Sequence, residues 1–152
     1  MLKLIIIFLL AFGVMEFVSY AAHRFIYHGF GWKIHKSHHE PRKGIFELND
    51  IFPMIFATIT ISILLYGFAD PGRAEIVAAG LGVTLYGVVY FVIHDLYIHR
   101  RAKWLRLRIP FLQHLKRAHA IHHRYGGEPY GLLFVINAER VRQMHVEEDE
   151  AV

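Results

Sequence analysis

Three stretches of this sequence are too apolar to end at a water surface. Leu4 to Ala22 carries one charge, Glu16; Ile51 to Ala69 and Ile76 to Ile93 carry none. A bilayer hydrocarbon core of about 30 Å takes about 20 apolar residues as a helix, so each stretch is long enough to cross. In a water-soluble fold all three would be core helices, and 152 residues do not supply the polar shell to wrap them. The 55% hydrophobic content and the mean hydropathy of +0.31 agree. The sequence therefore predicts an all-α integral membrane protein, one domain over 1–152, with transmembrane helices at about 4–22, 51–69 and 76–93. The first stretch runs into His23 and His28 without a small-residue cleavage site, so it is read as a retained helix rather than a signal peptide.

Asp70, Pro71, Gly72 and Arg73 separate the second and third stretches, and a Pro-Gly breaker there makes an antiparallel hairpin. Of the 17 Lys and Arg, only Lys3 and Arg73 fall on one side of the three spans. The other fifteen place segments 23–50 and 94–152 in the cytoplasm by the positive-inside rule. The net charge of +4 is therefore an orientation signal rather than a nucleic-acid footprint. The run from Arg100 to Lys116 mixes Arg100, Arg101, Lys103, Arg106 and Arg108 with Trp104, Leu105, Leu107, Ile109, Phe111 and Leu112. Beside a span it reads as an interfacial segment on the lipid bilayer, with no nucleic-acid partner. The acidic end Glu147, Glu148, Asp149, Glu150 reads as solvated.

Cysteine is absent, which excludes disulfides, thiolate metal sites, Fe–S clusters and a thiol nucleophile. Histidine is abundant instead, at 12 residues. All lie on the predicted cytoplasmic side, in a cap that the spans would carry. His23, His28, His35, His38 and His39 form a first group, and His94, His99, His114, His119, His122 and His123 a second. Each group reads H-x4-H followed by H-x2-H-H. At about 100° per helical residue, His35 and His39 lie about 40° apart with His38 on the same side, and His119, His122 and His123 repeat this. Such imidazoles are what a metal takes from a helix. The H-x4-H pairs are spaced by five, about 140°. The helix ends or bulges between their members, or each member serves a different metal; Gly29 and Gly31 favour an end after His28. Ten or eleven histidines are too many for one ion, which takes three or four protein ligands, so two ions are expected. Imidazole suits Fe, Zn, Cu and Ni, and the spacing does not choose among them. His145 lies outside both patterns, and His114 is not needed to complete either.

Ligating histidines pass their second N–H to a carboxylate or carbonyl. Asp95 beside His94, and Glu47 or Asp50, are candidates; ordinary capping is the alternative for each. Glu16 inside a span should have a partner or a function, and the sequence names neither.

The segments HRFIYHGFGWKIHKSHHEPRKGIFELND at 23–50, LYGVVYFVIHDLYIHRR at 85–101 and HLKRAHAIHH at 114–123 resemble the fatty acid hydroxylase superfamily of membrane di-iron enzymes. HKSHHEPRKGIFELND narrows the resemblance to its bacterial carotene-hydroxylating branch. The resemblance implies hydroxylation at carbon 3 of the β-ionone rings of β-carotene, giving β-cryptoxanthin and zeaxanthin. It implies two Fe ions, O2 as oxidant, a ferredoxin-type electron donor, and a place in the bacterial inner membrane. Zinc fits the same imidazoles and can replace iron in a preparation. Carried over, the metal ligands are His23, His28, His35, His38, His39, His94, His99, His119, His122 and His123, with His114 and Asp95 as further metal-binding or supporting candidates. Superfamily members are usually drawn with four spans; Tyr130 to Asn137 is too short to supply a fourth here. No side chain is assigned as catalytic, because a ring C–H bond yields only to an oxidant made from O2 at a metal. A water-insoluble substrate would enter from the bilayer, with Tyr86, Tyr90, Phe91 and Tyr97 as candidates to line the entry; plain packing or interface anchoring is the alternative for each.

Lipid or sterol hydroxylation and carotenoid ketolation are the nearest alternatives within the superfamily. A metal transporter would place its site near the bilayer midplane, where these spans carry no histidine. A zinc peptidase would need an H-E-x-x-H motif, which is missing.

Overall fold

The computed structural model describes residues 1–42, 44–135, 137–140 and 142–143, and no strand occurs among them. Its helices are α1 (Leu2–Ala21), α2 (Trp32–His39), α3 (Ile51–Phe68), α4 (Ala74–Tyr90) and α5 (Pro110–Tyr125). Two of them change pitch toward their C-terminal ends, and the first is then kinked just after His28, where Gly29 has non-helical backbone (φ -94°, ψ -124°). α1 continues as a π-helical segment over Ala22–Phe30, and α4 as another over Phe91–Ile98.

Counting these extensions, three helices are long and apolar enough to cross a membrane: Leu2–Phe30, Leu48–Phe68 and Pro71–Ile98. They coincide with the three apolar stretches of the sequence. Their outer faces confirm the solvent they are built for, since Leu9, Leu10, Phe17, Ile59 and Leu65 are all more than half exposed. A water-soluble surface does not carry so continuous an apolar coat. Inside, by contrast, the buried residues are small or polar: Glu16, Thr60, Gly67, Ala78, Gly80, Gly82 and Tyr86. Lipid provides no hydrophobic drive between helices, so close backbone approach and interhelical hydrogen bonds hold them together. α1 and α4 approach closely at Gly82. A Cβ there would overlap the Phe8 carbonyl oxygen and lie 3.0 Å from the Ala11 Cβ.

α3 and α4 form the expected hairpin. Asp70 caps its turn by accepting the Gly72 N–H at 2.8 Å, and the Arg73 guanidinium lies 3.9 Å from the centre of the Tyr66 ring. Lys3 pairs with Glu75 at this same end of the bundle, at 2.6 Å. The two longer helices have 29 and 28 residues, about 40 Å at 1.5 Å each, against a core of about 30 Å. The surplus turns at their C-terminal ends carry His23, His28 and His94, and His99 caps the second of them. α2 and α5 lie over those ends. A small core of Tyr97, Ile98, Leu115 and Leu132 ties α5 and the chain beyond it to the end of α4.

Glu16 has the partners its position demands. It is 4% exposed, and accepts the Tyr86 hydroxyl at 2.8 Å and the backbone N–H groups of Leu133 and Phe134 at 2.8 and 3.0 Å. The chain after α5 therefore returns along α1 instead of leaving the bundle. Gly126 and Gly127, both at φ near +70°, make the reversal. This segment has no regular structure over Tyr130–Val135, and the described residues contain no fourth membrane-crossing helix. His145 and the acidic run Glu147–Glu150 lie outside the described residues.

Candidate metal centre

The structure gathers ten histidines into two adjoining clusters. In the first, one ring nitrogen from each of His23, His28, His35, His39 and His122 lies within 4.8 Å of all the others. In the second, His38, His99, His119 and His123 meet the same condition. His94 joins them, its Nε2 lying 3.3 Å from that of His38. Within the clusters Nε2 atoms face one another: His23 and His35 at 3.1 Å, His28 and His122 at 3.1 Å, His39 and His35 at 3.2 Å, His99 and His119 at 2.8 Å. Imidazole nitrogens about 2.0–2.1 Å from one ion lie at most about 4.2 Å apart, so these pockets need only a slight contraction to close around a metal. Five imidazoles per cluster are one more than a closed tetrahedral shell uses.

Local geometry explains the membership. Helical segments whose backbone bonds run from i to i+5 set residues five apart over one another. The π-helical extensions therefore bring His23 with His28, and His94 with His99, onto one side. The H-x4-H pairs are thus bulged helix, each pair serving a single cluster. On α2, His35 and His39 face the first cluster. His38, about 60° from His35 in the opposite sense, faces the second. α5 repeats this, with His119 and His123 in the second cluster and His122 in the first. The sequence places each H-x2-H-H on one side; the structure splits each of them.

Outer contacts fix the rings. Nδ1 of His23 donates to the Tyr130 carbonyl at 2.8 Å, that of His122 to the Gly127 carbonyl at 2.6 Å, and that of His35 to Asn49 Oδ1 at 2.7 Å. His38 Nδ1 faces Glu47 Oε2 at 3.1 Å and His94 Nδ1 faces Asp95 Oδ1 at 3.2 Å. Each of these five imidazoles thus turns Nε2 inward, as metal-ligating histidines do. The Arg101 guanidinium grips both carboxylate oxygens of Asp50 and lies 3.9 Å from Glu47 and from Asp95. Asp50 consequently supports the arginine and not a histidine. His123 Nε2 is buried without a hydrogen-bond partner among the described residues, as a nitrogen reserved for a metal would be.

Burial sets the protonation. It holds His35 and His39 down to about 3 and His99 to about 2, and lowers His119, His122 and His123 as well. At neutral pH these rings are uncharged, with lone pairs available to a cation. The donor set fits a pair of borderline metals such as Fe or Zn.

His114 is exposed on α5 and belongs to neither cluster. Asp95 sits behind His94. Asn49, Arg101 and the carbonyls of Gly127 and Tyr130 are not singled out by the sequence. The spacing of five in each H-x4-H was the available signal for the π-helical turns; backbone carbonyls give none.

An apolar cavity of about 520 Å³ lies between α1, α3 and α4. Its lining includes His35 of one cluster, His94 of the other, and Asp95, together with Tyr86, Tyr90 and Phe91. Tyr97 does not line it. That side chain is buried in the small core and donates its hydroxyl to the Leu107 carbonyl at 3.1 Å.

Three apolar helices carrying a doubled all-histidine pocket at one end define a class, the membrane-spanning metal-dependent hydroxylases. The chain belongs to the fatty acid hydroxylase family, whose sequence model matches residues 8–141. It is similar to the beta-carotene hydroxylase of Pseudescherichia vulneris, at 42% identity over 125 residues, 80% of this chain and 69% of that one. The beta-carotene hydroxylase of Pantoea ananas is 42% identical over 127 residues, 82% of this chain and 70% of the relative. Beta-carotene 3-hydroxylase 1, chloroplastic, of Arabidopsis thaliana is 41% identical over 123 residues, 78% of this chain. The chain spans only 40% of that plant relative's length. No solved structure matches the chain.

Proposed function

We propose that this chain is a β-carotene 3-hydroxylase, a single membrane domain whose ten clustered histidines hold two Fe ions. The observation that carries the reading is the cavity. One apolar chamber meets His35 of the first cluster and His94 of the second, so a hydrocarbon held there faces both metal positions. The names of the bacterial and plant relatives support a carotene as that hydrocarbon.

The protein's own part is to bind, orient and exclude water. The cavity lining includes Ile61, Val88 and Phe91, which are also exposed on the lipid-facing surface. A polyene can therefore stay in the bilayer while its β-ionone ring enters between the helices. Its volume is in the range of small-molecule sites and takes one ring end at a time, which fits stepwise conversion through β-cryptoxanthin to zeaxanthin. Tyr27, stacked on Phe52 at 4.0 Å, and Tyr90 present flat apolar faces to such a ring. The iron pair, when bound, supplies the redox chemistry by which O2 hydroxylates an unactivated C–H bond. Electrons come from a ferredoxin-type donor. The clusters face the cytoplasm from a bacterial inner membrane, a reading supported by the basic residues of 23–50 and 94–152.

Production of the chain in cells that accumulate β-carotene, followed by pigment analysis, tests this. Zeaxanthin with β-cryptoxanthin is the expected outcome. A keto-carotenoid would move the chain to the ketolases, and unchanged β-carotene would reject the substrate.

A further inference from the structure

The two clusters are supported by different chemistry. In the first, His23, His122 and His35 donate to neutral oxygens: the carbonyls of Tyr130 and Gly127 and the amide of Asn49. In the second, His38 and His94 face the carboxylates of Glu47 and Asp95. A carboxylate stabilises the positive charge that ligation places on an imidazole, and raises the ring's basicity toward a metal more than a neutral carbonyl does.

Both backbone acceptors of the first cluster lie on one piece of chain after α5, and that piece is held at two points. Near its start, Glu128 Oε1 accepts the Tyr20 hydroxyl at 2.6 Å and Arg24 at 3.2 Å. Further on, Glu16 Oε1 accepts the N–H groups of Leu133 and Phe134, while Oε2 accepts Tyr86. Glu16 is thus a costly buried carboxylate within a membrane span, and its hydrogen bonds fix a segment whose carbonyls orient two ligands. Among the described residues the second cluster has no hydrogen bond to this segment, which reaches it only through the apolar packing of Leu132 on Tyr97 and Ile98; Arg101, Asp50 and the loop before α3 hold its carboxylates.

We propose that the two metal positions are inequivalent, and that Glu16 is a positioning residue for the weaker one, formed by His23, His28, His35, His39 and His122. This rests on the two-metal reading above. The position formed by His38, His94, His99, His119 and His123 binds more tightly and does not depend on Glu16.

The test is a chelator titration of the full chain in detergent, loaded with Fe(II) without oxygen, reading metal per chain. The native protein should release its two metals in separate steps. Glu16→Leu should move only the first step, to about 10–100-fold lower chelator. Glu16→Gln keeps an oxygen to accept the two N–H groups and should leave that step within about threefold of native. Gly131→Ala provides a variant outside the spans, since its Cβ would lie 2.8 Å from Glu16 Oε1 and 3.0 Å from the Phe134 carbonyl oxygen. It should shift the same step, and it decides the matter if Glu16→Leu does not fold. A native protein that releases both metals together, or a Gly131→Ala variant that shifts both steps equally, overturns the inequivalence. One metal per chain before any chelator is added overturns the two-metal reading itself.

Discussion

His38 and His122 are exchanged between the two clusters. His38 belongs by sequence to the repeat that builds the first cluster, yet its Nε2 lies 3.3 Å from that of His94 in the second. His122 belongs to the other repeat, yet its Nε2 lies 3.1 Å from that of His28 in the first. Each repeat thus gives four histidines to its own cluster and one across. Neither pocket is complete without both halves of the chain. Metal analysis of paired variants checks the exchange. His38→Ala with His119→Ala should leave about one metal per chain, because both losses fall on one cluster. His38→Ala with His35→Ala should deplete both positions. Equal residual metal in the two double variants would contradict the assignment.

The carboxylates behind the second cluster should act on affinity. Asp95→Asn and Glu47→Gln are expected to weaken metal binding by about 10–100-fold, with hydroxylation largely recovered in excess Fe(II). Removing Arg101 instead leaves Asp50, Asp95 and Glu47 without their shared cation, and Arg101→Leu should cost about 3–5 kcal/mol of stability. Metal titration and thermal unfolding separate the two effects.

Filling the cavity should block substrate without disturbing metal. Ala57 and Gly87 both line it, and a Cβ on Gly87 would meet nothing within 4 Å. Gly87→Phe and Ala57→Phe should lower carotene hydroxylation by about tenfold or more, as bulk displaces the ring from its reacting position. Metal per chain should stay at the native value; a parallel loss of metal would place these residues elsewhere in the mechanism.

The metal-free protein should lose stability in mild acid. Burial holds His35 and His39 at about 3 when folded, against 6.5 ordinarily. Above 6.5 these rings are neutral in both folded and unfolded chains and contribute nothing. Between 6.5 and about 3 the unfolded chain takes up protons that the folded chain refuses, so stability falls as pH falls, levelling below about 3. Thermal unfolding of chelated protein across that window should show Tm declining with pH. A constant or rising Tm would contradict the burial of neutral rings.

The bundle was legible because lipid imposes a simple rule: uncharged stretches such as Ile51–Ala69 have few places to be other than a bilayer. The ten histidines were legible from repeated spacing. Their division was not, because His38 and His39 are adjacent in sequence and about 100° apart on α2, and only the position of α5 decides which pocket each enters. Glu16 announced itself as anomalous, but its partners are the Tyr86 hydroxyl on another helix and two backbone N–H groups more than a hundred residues away. Tyr97 looked like its neighbours Tyr90 and Phe91, and the turn toward Leu115 that buries it has no pattern in the sequence.

The metal content of freshly prepared membrane protein tests the central claim most directly. Two irons per chain, both lost on replacing His35 together with His119, is the predicted result. One metal per chain, with either cluster dispensable to its binding, would contradict the paired centre.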